Sequence, residues 1–501
     1  MEGQTYLFYC VGVGLLSAFQ FGYTTAVVNA PEQAMTNCAL GSVWVNPMAR
    51  LPTCFAMDDW SWGAFVSGFL FAGIVGGLAG GHLAARFGRR RILLFSNIPN
   101  IIGALLIGLA PSIGSLIAGR VFQGLGMGVG TVVLPLYIAE LAPTHLRGTL
   151  GSCNQLIIML GVLVSQAFGI AWSVPHRWRW LFLYQALPGL VQLALLPSTV
   201  ESPRWLASNG FINEARIATQ RLRGPGVDVD EELFGVSSRV DSHHHHHHND
   251  VVATEGAAAT ATTTTAAAAA ASPRESWNDD YGDQDEVPVT LQQVFARPNL
   301  CRPVVYAFIL QLAQQGSGIN AAIFFSTRIF SSKFTAETAV KLSLLTSVVN
   351  VVMTIVTLPL IEKQGRRTLL LASSIGMGMC SLMLAVSSFG GFDSAALMVF
   401  TLMTFTGSYG LGLGSIPWLI FPEIVPARAT AAASGLCTAI NWAGAALVGL
   451  VLPSAIGAVG YNIFFFFAAC MGAMIVFVLR VLPETKGRTP EELQATVFNI
   501  R

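Results

Sequence analysis

The sequence predicts an all-α membrane protein, twelve transmembrane helices in two pseudo-symmetric six-helix halves. Three observations predict it. The 501 residues are 53% hydrophobic and only 11% charged, with a mean hydropathy of +0.59, whereas soluble chains carry about 25% charged residues. Apolar runs of about 20 residues recur, the length that crosses a bilayer core of ~30 Å. A set of charged stations also occurs twice. The first copy reads Arg86-Phe-Gly-Arg-Arg90, Glu140 with Arg147, then Glu201-Ser-Pro-Arg204. The second reads Lys363-Gln-Gly-Arg-Arg367, Glu423 with Arg428, then Glu484-Thr-Lys-Gly-Arg488. Gly365 follows Gly88 by 277 residues, and Glu423 and Glu484 follow Glu140 and Glu201 by 283 each. A duplicated bundle with its charges at one face is the plan of a secondary transporter.

In chain order the apolar runs place spans near 7–28, 62–84, 92–110, 114–137, 150–172, 180–199, 303–328, 339–361, 369–389, 396–421, 430–453 and 460–482. The first lacks a basic flank and is long enough to span and stay, so no cleavable signal peptide is expected. An even count puts both termini on one side. The turns Arg86–Arg91 and Lys363–Arg367 mark that side as cytoplasmic by the positive-inside rule. Arg177, Arg179, Lys333 and Lys341 run against the trend, so the orientation rests on the repeat as well. The expected organisation is an N-terminal bundle over 1–205, a cytoplasmic linker over 206–296, a C-terminal bundle over 297–483 and a cytoplasmic tail over 484–501. The linker is expected to start as a helix. Its centre carries His243–His248, a Thr/Ala tract from Ala257 to Ala271 and an acidic run Asp279–Glu286. Such low complexity buries no amphipathic face and is expected to be disordered.

Composition excludes several classes. A net charge of +1 gives no reason to expect a nucleic-acid partner. The eight cysteines show no paired spacing for zinc. Cys38 and Cys54 share the one long loop placed outside, and whether they are bridged stays open. The spans hold no nucleophile–base pair and no metal cluster, so no enzyme, cofactor or metal is expected. The 50 glycines fall at four-residue spacing in Gly73, Gly77 and Gly81, and in Gly124 and Gly128. Small residues one turn apart let helices approach closely in lipid.

Uncharged amides inside the spans are the second signal. Gln311, Gln314 and Gln315 share one helical face, followed by Gly316-Ser-Gly318 and Asn320. Gln155 and Gln166 lie in the fifth span, Asn350 in the eighth and Asn441 in the eleventh. Each amide must face another helix or a watery cavity, since burying one without a partner costs about 1–3 kcal/mol. Helix-to-helix glue explains any one of them. Three glutamines and an asparagine on one broken helix favour a cavity, with Trp418, Trp442, Phe324 and Phe325 nearby. Paired donors and acceptors beside aromatic faces suit a sugar or polyol and suit no ion.

Pro135-Leu-Tyr-Ile-Ala-Glu140 with Arg147-Gly148, Glu201-Ser-Pro-Arg204, Gln314-Gln315-Gly-Ser-Gly-Ile-Asn320, Ile416-Pro-Trp418 and Pro483-Glu-Thr-Lys-Gly-Arg488 together resemble the sugar porter family of the major facilitator superfamily. The first span, Gln20 to Pro31, is similar to the facilitative glucose transporter branch. The likeness covers nearly the whole chain outside 206–296. It implies the major facilitator fold, alternating access and a hexose partner within the lipid bilayer, in a plasma membrane, with a monomer as functional unit. By this resemblance Gln155, Ile158, Gln314, Gln315, Asn320, Asn350, Trp418 and Asn441 match hexose-contacting positions; Gln311 joins them on the face argument alone. Phe324 and Phe325 match an outer-gate aromatic pair. A cytoplasmic charge network maps to Arg89, Arg90, Glu140, Arg147, Glu201, Arg204, Glu362, Arg366, Arg367, Glu423 and Arg428. The resemblance implies pairing across the halves when the inner side is shut.

The chain departs from the family pattern at Gly410, where a glutamate is frequent, at the short Glu423-to-Arg428 spacing, and at Gln311-Leu-Ala313, where glucose-selective members tend to have serine. Proton-driven members tend to carry an aspartate in the first span facing an arginine in the fourth. Here Arg120 stands with Thr24, which takes up no proton near neutral pH, so facilitated diffusion is expected over proton symport. A non-transporting sugar sensor ranks lower, because only about 18 residues follow Leu482.

Overall fold

A computed structural model of the protein describes residues 2–38, 51–143, 146–175, 177–224, 229, 291–387, 394–486, 488 and 492–493. Helices dominate, and no strand occurs among the described residues. The first half comprises α1 (Glu2–Ala26), the short α2 (Glu32–Thr36), α3 (Asp59–Phe87), α4 (Arg89–Gly108), α5 (Ile113–Leu141), α6 (Arg147–Trp172) and the divided pair α7 (Trp178–Tyr184) and α8 (Ala186–Leu195). Two small helices follow, α9 (Pro203–Ser208) and α10 (Ile212–Arg223). The second half begins with α11 (Leu291–Ala296) and the broken crossing α12 (Pro298–Gly316) and α13 (Ile319–Ser331). It continues with α14 (Ala336–Gln364), α15 (Arg366–Val386), the second broken crossing α16 (Ala395–Leu411) and α17 (Ile416–Ile424), α18 (Ala427–Val459) and α19 (Ile463–Arg480). His243–His248, the Thr/Ala tract and the acidic run lie outside the described residues.

Ten helical stretches among the described residues are long and apolar enough to cross a bilayer. One of them, Ala433–Arg480, holds two crossings, turned back at Gly460–Asn462. The crossing made by α12 and α13 is not among the ten, because its break and its amides divide the apolar run. The total is the twelve that the hydropathy predicted. Helix starts are fixed locally: Asp58, Ser112 and Thr335 accept the N–H of Ser61, Ser115 and Thr338 at the heads of α3, α5 and α14. Oxygen side chains at these positions satisfy N–H groups that have no partner inside the helix.

Glycine sets the closest approaches. A Cβ at Gly124 would lie 2.0 Å from Phe69 O, and one at Gly128 2.3 Å from Gly73 O. Backbone therefore lies on backbone where α3 meets α5, and alanine at either glycine would force the helices apart.

The apolar core divides in an informative way. One cluster joins the halves, with Tyr23, Val27, Phe65 and Phe69 from the first and Phe324, Phe325, Phe330 and Trp442 from the second. The other two clusters keep to one half each. The shared cluster lies toward the face opposite the arginine-rich turns. Along the seam between α3 and α18, a Cβ at Gly63 would touch Leu450 O at 2.6 Å and one at Gly77 would lie 3.6 Å from Thr438 Cγ2. Nearer the arginine face, a Cβ at Gly435 would meet nothing within 4 Å, and one at Gly81 only Val132 of its own half. The seam between α6 and α14 behaves alike: Gly169 approaches Val340, while Gly151 meets nothing within 4 Å. The halves thus close on the face opposite the arginines and part toward the arginine face.

Candidate substrate site and gates

The amides of the second half converge. Asn441 on α18 donates to Gln311 Oε1 at 2.8 Å and Gln314 Oε1 at 2.7 Å. Gln314 donates in turn to Leu413 O at 2.6 Å and Gly414 O at 3.2 Å. Those two carbonyls are free because the helix breaks between α16 and α17. Gly412 permits the break: a Cβ there would lie 2.5 Å from Leu369 O. The other break, at Gly316-Ser-Gly318, needs a left-handed residue, and Gly318 has φ +81. It turns Asn320 back so that its amide donates to Gln315 Oε1 at 2.5 Å. Two broken crossings and α18 thereby hold five carboxamides in one cluster, which satisfies backbone that a span would otherwise leave bare.

Asn350 on α14 lies beside Gly410, where a Cβ would stand 3.3 Å from its Oδ1. The room a longer side chain would take at Gly410 is thus filled by Asn350 and Met353. Gln311 Nε2 is buried without a hydrogen-bond partner among the described residues. Trp418 on α17 is 39% exposed. Gln155 and Ile158 lie half-buried on α6; among the described residues no hydrogen bond joins Gln155 to the amides of the other half. Gln166 is buried, and its Oε1 has no hydrogen-bond partner among the described residues.

The first half holds a polar cluster that the sequence reading passed over. Gln20 donates to Asn97 Oδ1 at 3.1 Å and Gln192 Oε1 at 2.8 Å, and accepts from Asn100 at 2.7 Å. These are amides in apolar spans, the same signal, but they serve as glue among α1, α4 and α8. Arg120 donates to Thr24 O at 2.9 Å and Gln123 Oε1 at 3.2 Å, with its guanidinium 4.6 Å from the Phe69 ring centroid. No carboxylate faces Arg120 among its described partners.

The arginine face shows the sequence repeat in three dimensions. Glu201 caps α4, accepting from the backbone N–H of Arg89 at 2.8 Å and Arg90 at 2.9 Å. Glu484 caps α15 in the same way, accepting from Arg366 at 3.0 Å and Arg367 at 3.1 Å. A carboxylate at a helix N-terminus meets both bare N–H groups and the positive end of the dipole. Gly88 and Gly365, at φ 95 and 86, let it in: a Cβ would stand 2.5 Å from Glu201 Oε2 in one half and 2.8 Å from Glu484 Oε2 in the other. Arg89 pairs with Glu140 at 2.8 Å and Arg366 with Glu423 at 3.0 Å. Arg90 and Arg367 donate to the carbonyls of Thr199 and Val478. Arg204 is exposed, and Glu362 reaches Arg366 only at 4.0 Å. The side chains of Arg147 and Arg428 lie outside the described residues.

The charge network was expected to pair across the halves with that side shut. Here the halves part on that side, and among the described residues each cluster closes within its own half. The carboxylates Glu201 and Glu484 also prefer backbone N–H to guanidinium, since each sits at a helix start.

The opposite face carries the cross-half contacts, and sequence reasoning missed its polar members. Asn29 donates to Ser326 Oγ at 2.7 Å and accepts from Thr327 N at 3.0 Å. Arg328 on α13 pairs with Glu32 at 3.1 Å and Asp59 at 2.8 Å. The available signal was a guanidinium at the end of an apolar span, functional by default. Phe324 and Phe325 are buried there, their rings edge to face with centroids 6.1 Å apart. Cys38 and Cys54 are bridged, which settles the point left open, and Phe55 N donates to Met35 O beside the bridge at 2.8 Å. Arg179, against the charge trend, donates to three backbone carbonyls, of Pro52, Gly108 and Ala110.

A sugar (and other) transporter family model matches residues 10–497. Facilitated glucose transporter member 3 of Ovis aries is 32% identical over 98% of this chain and 92% of that protein. The same member from Homo sapiens is 31% identical over 97% of this chain and 91% of that protein. Among solved structures, a partially occluded inward open conformation of the xylose transporter XylE from E. coli aligns with TM-score 0.72 at 21% identity, covering 97% of this chain and all of that one. XylE bound to 6-bromo-6-deoxy-D-glucose, described as a major facilitator superfamily proton:xylose symporter, aligns with TM-score 0.72 at 22% identity over 98% of this chain and 99% of that one. With twelve crossings in two halves and a match along nearly its full length, the chain is a multi-pass integral membrane protein and belongs to the sugar (and other) transporter family.

Proposed function

We propose that the chain moves a hexose, glucose or fructose, across the plasma membrane by facilitated diffusion with alternating access. The arginine face is read as cytoplasmic, with both termini there, and the structure as an inward-facing state. The single observation that carries the reading is the convergence of Gln311, Gln314, Gln315, Asn320 and Asn441 between two broken crossings. Asn441 pairs with Gln311 and Gln314, and Asn320 with Gln315. A hexose can exchange into that network, each hydroxyl giving to one amide oxygen and accepting from another amide. Neutral bonds worth about 0.5–1.5 kcal/mol each give weak binding, and a millimolar constant corresponds to about −4 kcal/mol. Weak binding suits a cargo that must leave. Trp418 supplies an apolar face for the ring of the sugar, and Gln155 and Ile158 approach it from the other half as the cycle proceeds.

Uniport rests on Thr24. Coupling to protons needs an ionisable carboxylate within the membrane, and the hydroxyl of Thr24 donates to Gln20 O at 2.7 Å instead. The experiment is labelled hexose uptake into proteoliposomes with and without an imposed pH gradient. Equilibration to equal concentration, with counterflow, is the expected result. Accumulation driven by the gradient overturns uniport, and binding without counterflow points to a sensor.

A further inference from the structure

Glu32, Arg328 and Asp59 bring three charges from the two halves to one point on the face opposite the arginines. Their two carboxylates are not equivalent. The Asp59 side chain is 41% exposed and the Glu32 side chain 10%. Arg328 Nη1 meets Glu32 Oε1, whereas Glu32 Oε2 is buried with no hydrogen-bond partner among the described residues. A carboxylate with one bare buried oxygen is disfavoured as the anion. The helix that carries it is fixed in place, since the Cys38–Cys54 bridge and the bond from Phe55 N to Met35 O anchor the chain just beyond α2.

We propose that Glu32 is a proton-binding site on the extracellular face, and that proton uptake there holds the outer gate shut. The proposal rests on the transporter reading above and on its orientation. Arg328 then keeps its charged bond to Asp59 and needs only the carbonyl oxygen of a neutral Glu32. In the shut state burial pushes the Glu32 carboxyl up to about 7, with Arg328 pulling it down and Asp59 pushing it further up. When the outer halves part, Glu32 meets water and returns toward the ordinary glutamate value of about 4.3. The shut state therefore binds the proton more tightly, so acid favours the shut gate and alkali the open one. From pH 8 to pH 6 the shut-to-open ratio rises up to about tenfold. Of the other charged groups on this face, Asp58 caps Ser61, Arg179 serves three carbonyls, Glu337 pairs with Lys341, and Arg177 and Lys333 are exposed.

The test measures hexose entry into cells bearing the full chain, with internal pH held and external pH varied from 8 to 6. A shut outer gate reduces the binding-competent fraction and raises the apparent half-saturation concentration in proportion. The expected result is a rise of several-fold in acid, opposite in sign to the gain a proton symporter shows. Glu32→Gln is expected to flatten the profile at the acid value. Asp59→Asn removes the charge that pushes Glu32 upward and is expected to move the midpoint to lower pH. A flat wild-type profile, or a rise that survives in Glu32→Gln, overturns the proposal. If Glu32→Gln fails to reach the surface, the Asp59→Asn midpoint decides, and an unmoved midpoint overturns it. If no hexose enters at any pH, the transport reading fails. Nitroxide labels at Trp60 and Val459 then test the site alone: their separation shortens in acid if the proposal holds and stays constant if it does not.

Discussion

The two faces of this molecule use the same chemistry for opposite ends. On the arginine face, carboxylate and guanidinium meet within a half, Glu140 with Arg89 and Glu423 with Arg366, while Glu201 and Glu484 accept the backbone N–H of the same two arginines. On the other face they meet between halves, where Arg328 reaches Glu32 and Asp59. The first kind joins groups of one bundle and leaves the seam between the halves untouched. The second kind spans the seam where that side is shut. Whether a charged residue joins the two halves depends on whom it touches across the seam, and its place in a repeated motif does not decide that.

The sharpest way to break the comparison is Glu201→Ala. It strips a buried helix start of its acceptor for two backbone N–H groups, at a cost of about 2–4 kcal/mol. We expect a lower apparent melting temperature in detergent, with the balance between facing states little changed. Glu484→Ala should reproduce this in the other half; a change of facing state with intact stability would erase the distinction. Arg328→Gln comes next. It removes both cross-half ion pairs, partly exposed ones, and should shift the facing equilibrium by about 1–2 kcal/mol, roughly 5- to 30-fold. Stability should fall less than in Glu201→Ala. Smaller again is Gln314→Ala, which deletes an acceptor for Asn441 and the donor to the tenth-span break. Hexose counterflow should fall about tenfold, from a loss of about 1–1.5 kcal/mol, with little effect on either face. Unchanged counterflow would make Gln314 helix glue only.

Much of the fold was legible because it depends on composition and period. Twelve apolar runs and the doubled motif predict the helices, and Gly316-Ser-Gly318 marks a real break. The partners of the charges were not legible. Whether Glu201 takes a guanidinium or backbone N–H groups depends on where α4 starts in space, and the sequence around Arg86–Arg90 does not specify that. The amides were half legible. Gln311, Gln314 and Asn441 converge as their positions suggested, while Gln20, Asn97 and Gln192 carry the same signal and act as glue. Side-chain type cannot separate these, because both need a partner in lipid. Arg328 was missed because its carboxylates, Glu32 and Asp59, lie nearly three hundred residues earlier in the chain.

The most direct test of the account is a pair of distances in one preparation. Nitroxides at Trp60 and Val459 report the face that is shut, and nitroxides at Gly151 and Lys363 report the arginine face. The account predicts a short first distance and a long second one without sugar, with Arg328→Gln lengthening the first and shortening the second. Two distances that stay fixed, or that change in the same direction, would contradict it.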